Sequence, residues 1–439
     1  VVGLRIEGVR PVTVYLEGDP LTEEKIKEGL SKLVEDLGKV KKVLVVHTDY
    51  TRVDFTHLVA KNLYRFLLER GLKEFHTLNA SGTHRTMKIE EFEKKLGISR
   101  NERGVFFHNH EFFNPEALAF VGTLPADFVS EMTEGDLEEE IPIKVNRILF
   151  EDFDAIFFIN GTVPHESTGF SGGLKIVIPG IASTEVVDTF HWAAVLMGIP
   201  KLIGTVDNPA RKIINRASEM IFEKIKARSF TLNMVYEEEE EVIPRALYID
   251  EGYKGFLRAY EKACELSSQL HVKYIDRPLR RAVQVIGEEY DEVWTAGKGS
   301  YKLQKPGVMA KGGQIIIYAP HIKRFHSNPQ MDKWIREIGY HCKDYVKWYL
   351  KKHPDFNKNV AAHVINVRGA GTFDPETGKE EFEFDVILAT SIPEDECRAV
   401  NLGYMDPSKI RKEDFMDEDS LWIVPGGKYL YDLKGRRGR

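Results

Sequence analysis

Apolar residues along this chain fall into short runs set between polar loops and amphipathic stretches, the rhythm of alternating strands and helices. KKVLVV, ending at Val46, and DAIFFIN, residues 154–160, are unbroken enough to predict strands covered on both faces. Ahead of the first, Ile26, Leu30, Leu33 and Val34 recur at helical spacing. Thr22 is the N-cap there, Glu23 and Glu24 suit the first turn, and Gly38 is the stop. Further helices are predicted over about 54–70 and 88–96, on either side of a strand at 75–78. The alternation at 12–16 predicts part of an edge hairpin within residues 1–20. GVFFHNHEFF predicts a strand carrying His108 and His110 on one face.

Beyond residue 160 the pattern continues with a Gly-rich loop, a helix running to Met197 and a strand at 201–206. Asn208 and Pro209 then start a helix to about residue 226. Residues 131–140 read as an acidic surface turn, and 237–241 as a solvated charge run closing a strand or a loop. A helix over about 253–270 leads into the polar stretch 267–278. A second α/β pattern follows: AVQVIG, DEVWTAG, a helix, GGQIIIYA, one long helix across 334–351, VAAHVINV, FDVILATS and SLWIVPGGKYLYDL. The expected fold is therefore α/β, as two α/β domains with mixed or parallel sheets and an active-site cleft between them. Residues 1–270 would form the first domain and 278–439 the second. Length agrees, since 439 residues at roughly 150 per domain give two or three.

Composition narrows the function classes. Apolar residues at 42% and charged ones at 29% describe an ordinary globular chain. A net charge of −7 argues against a general nucleic-acid binder. Charges interrupt every apolar run before it is long enough to span a bilayer. No signal peptide is read, so a cytoplasmic protein is expected. Cys264, Cys342 and Cys397 are widely spaced, which suggests neither a thiolate metal site nor a disulfide framework.

The chemistry concentrates at 164–191, PHESTGFSGGLKIVIPGIASTEVVDTFH. His165, Gly169, Ser171, Gly172, Gly173, Lys175 and His191 follow the end of a strand. Closely spaced glycines let the backbone turn sharply and approach a ligand. A lysine behind them adds a compact charge, so the segment reads as an anion cradle beside histidines; a tight connection is the plainer alternative. It is not a Walker A loop, because Ile176 follows Lys175. The loop HTDYTR offers Thr48, Asp49, Thr51 and Arg52 to a phosphate or to sugar hydroxyls, or simply caps a helix. His84 and Arg85 leave the next strand, and Arg85 suits either a carboxylate or a surface ion pair. His108 and His110 read as a bidentate metal pair or as structural residues. In the second half GKGSYKLQKPGVMAKGG brings Tyr301, Lys302, Gln304 and Lys305, on a binding loop or a solvated helix face.

The spacing of His165, the Gly-Ser-Gly loop, Lys175 and His191 resembles the signature of the nickel-pincer lactate racemase family, roughly pH…GfSGGrK…lPGias…nH. Leu174 stands where that family usually has arginine. Asp49, Thr51 and Arg52 are similar to its DDxTRP segment, with Val53 for the proline. Gly82, His84 and Arg85 match its G-x-H-R segment, and Asn109, His110 and Glu111 its N-H-[DE] segment. The resemblance covers most of residues 40–320.

It implies an isomerase that racemises or epimerises a 2-hydroxy acid by hydride transfer to and from a nickel-pincer nucleotide. That cofactor is of the nickel pyridinium-3,5-bisthiocarboxylic acid mononucleotide type. Lys175 would be linked or close to it, among Asp49, Thr51, Arg52, Gly169, Ser171, Gly172 and Gly173, with His191 completing the nickel coordination. His110 and His165 would be the acid–base pair, and Arg85, Tyr301, Lys302 and Lys305 would hold substrate. Lys302 falls where lactate racemases have glutamine, unless Gln304 has taken that role. An added cation favours a substrate with a second carboxylate or several hydroxyls. Trp294, Trp334, Trp348 and Trp422 are candidates for the family's substrate-side tryptophan. The expected partner is a small-molecule 2-hydroxy acid, with no nucleic acid and no membrane, on a monomer or homodimer. Two alternatives remain: the same chemistry on a sugar acid or dicarboxylic hydroxy acid, and a nucleotide- or phosphate-binding paralogue without catalysis. An NAD-dependent dehydrogenase is disfavoured, for want of a GxGxxG turn.

Overall fold

The computed structural model describes residues 11–198, 202–238 and 241–434. Its first sheet has seven strands: β1 (Thr13–Glu17), β2 (Lys42–Thr48), β3 (Glu74–Ala80), β4 (Val105–His108), β5 (Ala155–Gly161), β6 (Arg228–Glu238) and β7 (Val242–Glu251). They lie in the order β1-β7-β6-β5-β2-β3-β4. Strands β2 to β6 are parallel, while β7 runs antiparallel to both β1 and β6.

The unbroken apolar run explains why β5 is central. Ile156 and Phe158 point into one core layer, Phe157 and Ile159 into the other, and water reaches none of them. Helices Glu23–Leu37, Thr56–Glu69 and Ile89–Leu96 cover the second layer through Ile26, Leu63 and Phe92. Helices Thr184–Met197 and Pro209–Phe222 cover the first through Phe190 and Ile214.

A second sheet is built of β8 (Leu279–Val285), β9 (Met309–Ala319), β10 (Phe384–Thr390), β11 (Gly403–Tyr404) and β12 (Ser420–Ile423). The order is β11-β10-β9-β8-β12, all parallel. Helix Lys358–Arg368 packs on Thr184–Met197, so one apolar core runs from one sheet's helices to the other's. The α/β expectation is met. The stretch 267–278, read as a polar connector, holds a helix end and the strand Val272–Ile275, which pairs in parallel with Leu430–Leu433.

Strand order positions the site. In the first sheet β3 lies on one side of β2 and β5 on the other; in the second, β9 and β12 flank β8. Each is a point where the winding reverses, and a crevice opens there beyond the carboxyl ends.

Several local expectations are corrected. His108 and His110 do not share a strand face, because β4 stops at His108 and Asn79 Oδ1 accepts the His110 N–H at 2.7 Å, turning it inward. Residues 202–206 form no strand: Gly204 has φ +71 and donates its N–H to the Gly169 carbonyl at 2.8 Å. Lys201 lies outside the described residues. The long helix across 334–351 is two, Pro329–Ile338 and Lys343–Lys352, interrupted at Gly339 with φ +72. Among the described residues of 1–20 there is one edge strand, β1, and its partner is the distant β7. Glu237 and Glu238 are not solvated, since Arg245 pairs with the first and Lys428 with the second; 239–240 lie outside the described residues. No helix among the described residues is long and apolar enough to cross a membrane.

Candidate active site

A cavity of about 240 Å³ lies where the two crevices meet, and residues after β2, β5, β8 and β12 line it. The loop after β5 is a rigid scaffold. Asn160 Oδ1 accepts the Gly173 N–H at 2.8 Å, and the Ser171 hydroxyl donates to the Gly161 carbonyl at 2.7 Å. Arg211, buried and stacked on Tyr260, donates to the Phe170 and Gly172 carbonyls. Gly169 has φ +80 and touches the Thr205 carbonyl so closely that a Cβ would stand 1.8 Å from its oxygen. The anion-cradle reading is thus narrowed, because part of the loop's polar capacity is already spent on the protein itself. Gly169 and Gly173 do not line the cavity, whereas Ser171 and Gly172 do.

What the loop presents is His165, Glu166 and Lys175. Burial, aided by the neighbouring Arg52 charge, lowers the Lys175 amine to about 7. At that value half of it is an uncharged nucleophile near neutral pH. Burial and the charges of Lys175, Arg52 and Lys302 hold His165 well below its usual range. His191 also lines the cavity, lowered to about 3 by burial and Lys175. Its Nδ1 has no hydrogen-bond partner among the described residues.

The loop after β2 places Thr48, Asp49, Thr51 and Arg52 at the cavity wall. The helix start behind them is not open to a phosphate, since Asp54 already accepts from the Thr56 N–H at 2.9 Å and pairs with Lys95. Asp49 is engaged by Thr51 and His84. From the second half come Tyr301 and Lys302, both buried in the wall. The Lys302 ammonium donates to the Pro164 carbonyl, and burial lowers it to about 7.

The remaining sequence candidates are not brought together here. Arg85 points away, paired with Glu91 at 2.7 Å and stacked on Tyr50. Lys305 does not line the cavity; Gln304 lines a second one, bonded to Ser300 and the Asn366 carbonyl. His110 stands outside the wall with both ring nitrogens engaged: Nε2 with the Ala182 carbonyl at 2.9 Å and Nδ1 with Asn146 at 3.3 Å. Burial lowers it to about 4. His108 hydrogen-bonds His76 at 2.9 Å. Of the four candidate tryptophans, Trp294 alone lines this cavity, against His363.

Sequence reading missed Glu166, Glu238, Tyr290, Lys298 and Lys428, all on the wall. One signal was available. Gly426, Gly427 and Lys428 follow β12 much as Gly172, Gly173 and Lys175 follow β5.

Fold and site together define an α/β protein whose two sheets share one basic, histidine-lined cavity at their reversal points. Comparison with known proteins finds similarity to one family. Residues 16–199 match the lactate racemase N-terminal domain family, and the chain is similar to lactate racemases beyond that stretch. It is 24% identical over 342 residues to the lactate racemase of Thermoanaerobacterium thermosaccharolyticum, covering 72% of this chain and 69% of that one. It is 27% identical over 221 residues to the lactate racemase of Lactiplantibacillus plantarum, covering 49% of this chain and 46% of that one. A crystal structure of a Thermotoga maritima protein is 98% identical, covers 95% of this chain and all of its own, and superposes with TM-score 0.93. The apoprotein of the T. thermosaccharolyticum lactate racemase shares the fold, at TM-score 0.64 and 19% identity over 93% of this chain and 92% of its own.

Proposed function

We propose that this chain racemises or epimerises a 2-hydroxy acid with a nickel-pincer nucleotide bound in the cavity. The observation that carries the reading is the convergence of His165, Lys175 and His191 on one cavity, within the stretch matched by the lactate racemase domain. The residues fit such a cofactor. His191 has an orphaned Nδ1 to offer a metal, and Lys175 is an amine of lowered basicity. Among the described residues no three His, Cys, Asp or Glu side chains gather as a metal site. A metal held through His191 must therefore bring its other donors, as an organic pincer does.

When bound, the cofactor supplies the hydride acceptor that no side chain here provides. The chain's own part is to seat the acid and to manage the proton on its 2-hydroxyl oxygen. Arg52 and Lys302 line the cavity with His165, which supports giving them the substrate carboxylate in place of Arg85 and Lys305. His165, neutral in this basic surrounding, is competent to accept the hydroxyl proton and return it. The resemblance assigns the opposite face to His110, whose Nε2 is released for that task when its bond to Ala182 opens.

Protein produced together with nickel and the cofactor-forming enzymes tests this. We expect close to one nickel per chain and loss of optical purity in a panel of single-enantiomer 2-hydroxy acids. His191→Ala should cut bound nickel by about 10–100-fold. A nickel-free, inactive protein would leave a binding paralogue.

A further inference from the structure

His165 has two ring nitrogens, and two neighbours compete for one of them. The Ser167 N–H donates to His165 Nδ1 at 3.2 Å, while Glu166 Oε2 stands 3.5 Å from the same nitrogen. The first contact needs a lone pair on Nδ1 and the second needs a proton there, so a neutral ring satisfies one at a time. The hairpin that carries these residues is held from outside. His165 pairs with Gly169, Lys302 donates to the Pro164 carbonyl, and Asn208 donates to the Thr168 carbonyl at 3.2 Å. With the backbone pinned on both sides, the Glu166 side chain is the part left to move. It has to close in by about half an ångström to form a charge-assisted hydrogen bond.

Which neighbour wins decides what Nε2, the nitrogen left for a ligand, can do. When Nδ1 accepts from Ser167, the single ring proton is on Nε2, and no lone pair meets the 2-hydroxyl. When Nδ1–H is donated to Glu166, Nε2 carries the lone pair that a proton acceptor needs. As the substrate proton moves, its O–H bond breaks, an Nε2–H bond forms and the ring becomes a cation; the return transfer reverses each change. Arg52, Lys175 and Lys302 line the same cavity and oppose that positive charge. Glu166 lines it too and is the carboxylate beside the ring, so it offsets the charge.

We propose that Glu166 is a positioning residue for His165: its carboxylate takes the Nδ1–H, frees Nε2 to accept the hydroxyl proton and steadies the imidazolium that results. This rests on the racemase or epimerase reading and adds to it a side chain that acts through His165 and never on the substrate.

Nitrogen NMR of unloaded protein carrying isotope-labelled histidine reads the tautomer, with His165→Gln identifying the signal. Wild-type protein should show a share of the Nδ1–H form that Glu166→Ala loses. In nickel-loaded protein Glu166→Ala should lower kcat about 100-fold or more, with KM within about threefold and nickel content unchanged. Glu166→Gln keeps an acceptor oxygen and should recover about tenfold of that loss. A carboxylate serving only as a countercharge would instead raise KM and show equal losses in the two variants, which would overturn the proposal. Identical spectra for wild type and Glu166→Ala would overturn it as well. Loaded wild-type protein that inverts no 2-hydroxy acid would remove the racemase reading and the catalytic half of the proposal together, while the spectra, taken without cofactor, still decide the tautomer.

Discussion

His84 donates its Nδ1–H to the buried carboxylate of Asp49 across 2.6 Å, and Thr51 donates to the same group from its backbone N–H and its hydroxyl. An ionised carboxylate only accepts, so the His84 proton sits on Nδ1 and the other ring nitrogen is left to the cavity. Burial alone would raise Asp49, but His84, Thr51 and Arg52 hold it below its usual 3.8. A depressed carboxylate stabilises the fold above its unfolded value and loses that contribution as pH falls toward the folded one. Asp49→Asn should therefore lower the melting temperature near neutral pH and flatten its decline below about pH 4. Calorimetry across the acid range checks this, and an unchanged acid slope counts against it.

His165→Ala should reduce C2 inversion by about a thousandfold or more while nickel stays bound. His110→Ala should do the same and also destabilise the fold by roughly 1–3 kcal/mol, since it strands the Ala182 carbonyl. Asn146→Ala separates the two roles. It removes the hydrogen bond to His110 Nδ1, so stability should fall while turnover stays within about tenfold. If His110→Ala lost only stability, the ring would be structural.

Lys175, lowered to about 7 by burial and Arg52, should react with a small amine reagent at a pH where surface lysines do not. Competitive labelling read by mass spectrometry should give a midpoint near that value. A midpoint near 10 would show the charge is tolerated. The same depression makes this residue's effect on stability unfavourable below about 7 and progressively relieved as pH rises toward 10.5.

Two glycines with positive φ should behave differently. Gly169→Ala places a Cβ 1.8 Å from the Thr205 carbonyl oxygen, so it should cost more than about 4 kcal/mol or prevent folding. Gly82→Ala, at φ +56 with nothing within 4 Å, should cost only about 1–2 kcal/mol. Chemical denaturation measures both. Equal losses would mean backbone strain, not contact, decides.

Much of the frame was legible because burial leaves a pattern. DAIFFIN reads as a central strand since adjacent residues serve opposite apolar layers. His165, Lys175 and His191 were legible through their spacing in one segment. What escaped was tertiary. His110 is turned inward by Asn79, thirty-one residues earlier, and its ring is held by Asn146 and Ala182, all of them contacts distant in sequence. Glu238 sits in a run of glutamates that looks solvated, until β12 brings Lys428 across from 190 residues away. Arg85 has the right chemistry for a carboxylate, yet Glu91, six residues on in the first turn of the following helix, claims it first.

The two reversal points sit on different sheets, and that separation has an evolutionary reading. His165, Lys175 and His191 come from the half built on the first sheet, whereas Tyr290, Lys298, Tyr301, Lys302 and Lys428 come from the half built on the second. On the proposed function, a descendant gene can change its diet by rewriting the turns after β8 and β12, leaving the segment that carries His165, Lys175 and His191 inherited whole.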